Sequence, residues 1–92
     1  MTPRDLVLNI AVNMGRLGRY SLASQPQRVA QFLADTQTYL DQLQNFNPRF
    51  RSTYDRFIKD YSYLKSSPPD TDDWSDTAYT WASILTHRAQ FA

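Results

Sequence analysis

Asp72-Asp73-Trp74-Ser75-Asp76 forms a DDxxD run. Carboxylates at that spacing can hold Mg²⁺ against a diphosphate when a second acidic helix faces them. The chain has no second acidic cluster. Carboxylates also complement the dipole of a helix start, by about 0.3–1 kcal/mol each, and that is the role expected for them here. Asp70-Thr71-Asp72 lacks the glycine turn and the closing bidentate Glu of a calcium loop. His87 is the only histidine, so no multi-histidine metal site can form. No strained serine turn accompanies it as a triad partner. We expect it in the last turns of a helix, where a cation is favoured. With no cysteine, disulfides, thiolate chemistry and Cys-ligated zinc are excluded. With two glycines, no phosphate-cradling loop can be built. No nucleophile–base pair can be assembled, so the sequence points away from an enzyme, a cofactor and a bound metal.

Residues 45–65 carry Arg49, Arg51, Arg56, Lys59 and Lys65 against Asp55 and Asp60, a net of +3. Arg49, Ser52, Arg56, Lys59 and Tyr63 fall on one stripe of a helix, and a basic helix with an aromatic edge can contact phosphates and stack bases. Arg49, Arg51, Arg56 and Lys59 are therefore the candidate phosphate contacts. Residues 66–92 hold four Asp against Arg88, a net of −3. The competing expectation is that the basic helix simply neighbours this acidic one. The formal charge of the whole chain is +1, which argues against general affinity for polyanions.

These groups must be positioned by helices, because four stretches repeat at the 3.6-residue period and none shows strand alternation. Ninety-two residues with thirteen aromatics suffice for one core and one domain, residues 1–92. The first helix is expected over 3–18, with Thr2 as cap, Pro3 at its first position and Asp5 closing a capping box. Leu6, Ile10, Met14 and Leu17 share its inner face with Val7 and Ala11. Leu8 and Val12 widen that face, leaving Asp5, Asn9, Asn13 and Arg16 as a narrow polar stripe, and Gly18 reads as the C-cap. The second helix, 25–45, starts at a Ser24-Gln25-Pro26-Gln27 capping box and turns Val29, Phe32, Leu33, Thr36, Leu40 and Leu43 inward. The third, 48–66, opens on Asn47-Pro48 and aligns Phe50, Tyr54, Phe57, Tyr61 and Leu64, with Asp55–Lys59 as an i,i+4 ion pair. Ser66-Ser67-Pro68-Pro69 breaks the pattern. The fourth, 71–90, turns Trp74, Ala78, Trp81 and Leu85 inward. The fold class is all-α. Short connections between such helices favour an up-down antiparallel four-helix bundle.

The acids are all Asp, nine of them; lacking Glu costs helix propensity and has no structural explanation. Small secreted domains usually need disulfide staples, so a reducing, cytoplasmic setting is expected. The alternative for Arg4, Arg16 and Arg19 is an organelle transit segment. The apolar run from Leu6 to Val12 is too short to span a bilayer.

The leading expectation for function is a non-enzymatic interaction module: an adaptor, regulator or small subunit that binds another protein or itself. Its first helix is apolar around more of its circumference than one core requires. Leu8, Val12, Tyr63 and Tyr79 fall off their core seams, and Tyr20 lies in the first connection. Aromatics and Arg are also the types enriched at interface hot spots. The alternatives are nucleic-acid binding through the basic helix and an apolar ligand or pigment held near Trp74 and Trp81.

Overall fold

A computed structural model describes all 92 residues, Met1–Ala92. Four helices form, α1 (Pro3–Leu22), α2 (Pro26–Gln42), α3 (Arg51–Ser66) and α4 (Asp72–Arg88), and there are no strands. A 3₁₀ turn, Pro48–Phe50, leads into α3, and another, Ala89–Phe91, follows α4. The result is a four-helix bundle of 36 × 21 × 20 Å.

The starts follow the side-chain chemistry. Thr2 accepts from the Asp5 N–H at 3.1 Å, and the Asp5 carboxylate accepts from the Thr2 N–H at 3.3 Å. Asn47 accepts from the Arg49 N–H at 2.9 Å, and Thr71 accepts from the Trp74 N–H at 3.2 Å. Each such cap satisfies an otherwise orphaned backbone donor, for about 1 kcal/mol.

α1 is the central helix. It packs on α2 along one side and on α4 along another. Leu6, Val7, Ile10, Ala11, Met14 and Leu17 are all buried there, each larger side chain contributing about 1.5–3 kcal/mol of burial. α4 runs antiparallel to α1: Gly15 faces Ala82, Gly18 faces Tyr79, and the Ser21 hydroxyl donates to the Pro69 carbonyl. α3 lies on the far side and also runs antiparallel to α4. Phe57 meets Trp81 edge to face at 5.2 Å, and the Trp74 indole N–H donates to the Leu64 carbonyl at 2.9 Å. Tyr61 closes the bundle by donating from its hydroxyl to the Leu33 carbonyl of α2 at 2.8 Å.

Several expectations are corrected. α1 continues one full turn past Gly18, which is no cap but a buried interior residue under the Tyr79 ring. The helix ends in a Schellman pair of bonds, Gln25 N–H to Tyr20 and Ser24 N–H to Ser21. The left-handed residue this motif needs is Ser24, at φ 54°. Ser24 therefore cannot cap α2; Gln25 holds that position and makes no side-chain cap bond. α2 stops at Gln42, three residues short of the expected end, because Leu43 leaves the helix and buries itself in the core. Asp55 pairs with Arg51 at 3.7 Å, not with Lys59. Asn13, read as part of a solvated stripe, is buried, and its Nδ2 finds no partner. The central position of α1, packed on both α2 and α4, is the reason.

Candidate functional site

The expected interaction residues fall on three separate surfaces. Leu8 and Val12 lie on the outward side of α1; Leu8 is half-buried against the core, while Val12 is 54% exposed. They belong to a longer line, Leu8, Val12, Gly15, Arg19 and Leu22, spaced by alternating steps of four and three residues, in which Gly15 lies against Ala82 at the edge of the α1–α4 seam. That spacing puts all five on one face of a helix. Leu22 is 60% exposed. Tyr79 of α4 borders the same face, because its ring rests over Gly18 while 40% of the residue stays exposed. Glycine permits this approach: a Cβ at position 18 would come within 2.8 Å of the ring.

Tyr63 stands apart. It lines a cleft of about 440 Å³ between α3 and α4 with Asp60, Asp73, Asp76 and Trp81. The Trp81 indole N–H donates to Asp60 at 2.7 Å. Asp72 and Asp73 occupy the first turn of α4 behind the Thr71 cap, the dipole-complementing place expected of them. No group of three or more acidic or histidine side chains is placed to hold a metal ion. His87 lies exposed in the last turn of α4, its Nδ1 2.8 Å from the Ser83 carbonyl.

The basic residues of the third helix are dispersed. Arg49 stacks over Phe91 at 4.6 Å, with Arg88 4.7 Å from the same ring. Arg51 lies over Phe46 at 4.8 Å in addition to its ion pair with Asp55. Arg56 and Lys59 border a groove that also contains Asp60, Trp81 and Ile84. Trp74, proposed beside an apolar ligand, is fully buried in the core.

Tyr20, expected in the first connection, lies in the last turn of α1 because the helix runs on to Leu22, and it anchors a cluster that sequence reading missed. Its ring stacks on Phe32 of α2 at 5.6 Å and 10°. Arg19 and Arg28 stand 4.9 and 5.2 Å from the Tyr20 ring, and Arg16 stands 5.2 Å from that of Phe32. None of the three forms an ion pair with a carboxylate. Arg19 donates to the Tyr20 hydroxyl at 3.2 Å. That bond, together with the charges of Arg19 and Arg28, holds the phenol below its ordinary pKa against the opposing effect of desolvation. The available signal was Arg16 and Arg19 one turn apart on the outward side of α1, with Arg28 just past the turn.

No helix is long and apolar enough to cross a membrane. Comparison with protein-family models, with curated proteins and with solved structures finds no match.

Proposed function

We propose that this chain is a non-catalytic interaction module that docks another polypeptide on the outward face of α1. One observation carries the reading. Of the five large apolar residues left exposed, Val12 and Leu22 lie along this face of α1, and a third, Tyr79, borders it. Scattered single apolar residues need no explanation, whereas a line of them marks a contact surface. Val12, Arg19 and Leu22 stay exposed along the edge of the α1–α4 seam, where a further segment can lie beside α4. The reading fits a regulator or small subunit, and a chain without cysteine is at home in a reducing cytoplasm. Nucleic-acid binding through the third helix has less support, since Arg51 is paired with Asp55 and Asp60 shares the groove of Arg56 and Lys59.

The test places a photocrosslinking side chain at Val12, at Leu22 and, as a control, at exposed Ser52 in the native cell. Val12 and Leu22 should yield one shared polypeptide adduct that Ser52 does not. Leu22→Asp should abolish the Val12 adduct without changing the melting temperature. An adduct that survives Leu22→Asp, or equal labelling from Ser52, defeats the reading.

A further inference from the structure

We infer that the partner segment docked on α1 is acidic, with carboxylates seated on Arg16, Arg19 and Arg28 beside its apolar contacts with Val12 and Leu22. The inference rests on the docking reading above and adds the chemistry of the partner. Three guanidinium groups stand within about 5 Å of one stacked aromatic pair. The single ion pair of the molecule, Arg51–Asp55, lies on α3, so no carboxylate of the chain neutralises these three arginines. Here Asp70 borders the adjoining groove of about 390 Å³ and pairs with none of them. The cluster is a concentration of positive charge awaiting oxyanions, and guanidinium forks match carboxylates two bonds at a time.

The rings make the cluster better than three free arginines. Stacking restricts each guanidinium before anything binds, so less side-chain entropy is lost when a carboxylate arrives. Arg16 is further tethered, donating from Nη1 to the Asn13 side-chain oxygen at 3.3 Å.

Continuity decides between a protein and a nucleic acid. Arg19 belongs to the same line as Val12 and Leu22, three residues before Leu22. A phosphate backbone offers nothing for those two exposed side chains to bury against. An amphipathic segment carrying Asp or Glu beside Leu or Ile satisfies both at once. The formal charge of only +1 for the chain likewise favours local recognition over general polyanion affinity.

The experiment titrates the ¹⁵N-labelled chain with a synthetic helical peptide bearing Leu at four-three spacing and Glu beside it. Parallel arms use the same peptide with Lys for Glu and a single-stranded DNA of similar charge. The Glu peptide should saturate below about 1 mM and shift the resonances of Arg16, Arg19, Tyr20 and Arg28 together with Val12 and Leu22. It should also raise the Tyr20 titration midpoint followed by ultraviolet absorbance, because the bound carboxylates offset the arginine charges. The triple variant Arg16→Gln, Arg19→Gln, Arg28→Gln should bind at least about tenfold more weakly with its melting temperature kept. Arg49→Gln should bind as wild type.

No saturable binding of the Glu peptide, or equal binding of the Lys peptide, overturns the acidic partner; the docking reading then stands or falls on the Val12 adduct alone. DNA that displaces the peptide at equal concentration overturns it in favour of a phosphate ligand. Binding that moves the arginines but leaves Val12 and Leu22 unshifted overturns it as a continuous site, and counts against the docking face itself.

Discussion

Helix α4 meets its two neighbours in opposite ways. Against α1 the contact is made by small residues: Gly15 faces Ala82 with room for an ordinary methyl contact at 3.9 Å, and Gly18 admits the Tyr79 ring. Against α3 the contact is made by rings, Phe57 on Trp81 and Trp74 bonded to Leu64. Small residues let two backbones approach closely, and the large side chains of those helices are then displaced to the edge of the seam. That is where Val12, Leu22 and Tyr79 stand exposed. Rings fill the space between backbones, and the edge there carries one exposed ring, Tyr63, set among Asp60, Asp73 and Asp76. The tight seam therefore frees a surface for contact, while the aromatic seam holds the fold.

The comparison can be broken from the aromatic side first. Trp74→Ala removes a fully buried indole and orphans the Leu64 carbonyl. A loss of about 3–5 kcal/mol is expected in urea unfolding, comparable to the whole stability of a small domain. A loss under 1 kcal/mol would mean that the rings are not the supporting seam.

Tyr61→Phe tests the closing bond to α2. It should cost about 1 kcal/mol at neutral pH. Burial, reinforced by the charge of Asp41, pushes the Tyr61 phenol up to about 12. A folded pKa above the unfolded value of 10 gives stability that is complete below pH 10 and is lost as pH rises through 12. Wild type should therefore lose stability across that alkaline interval more steeply than Tyr61→Phe. Parallel pH profiles would remove this account of Tyr61.

The smallest effects sharpen the tight seam. Gly15→Ala has space and relieves the entropic cost of a mid-helix glycine, a gain of about 0.5–1 kcal/mol. Melting should rise by about 4 °C. Gly18→Ala must push the Tyr79 ring aside and should forfeit that gain. Equal gains at both positions would show that Tyr79 does not rest on α1.

Most of the fold was legible because periodicity and caps are local. Thr2 with Asp5 and Asn47 with Pro48 sit where side-chain chemistry alone puts them. The failures came from tertiary context. Gly18 looks like a stop signal, but the chain needs it as a clearance for Tyr79. Ser24 looks like a cap, but the reversal into α2 takes it as the left-handed residue. The candidate site was half legible: Val12 announces itself by falling off the core seam. The arginine cluster did not, because Phe32 and Arg28 reach Tyr20 only once α2 folds back on α1.

The partnership of α1 with α4 sets an order on biosynthesis. α1 is synthesised well before α4, which shelters it on one side, so its core-facing Leu6, Ile10 and Leu17 stay wet until α4 has emerged. At about 5–20 residues per second, that interval lasts several seconds, in which α2 alone can cover the nascent segment. Chaperone demand should accordingly fall on α1, and slowing translation through α1 should matter less than stalling it just ahead of Asp72.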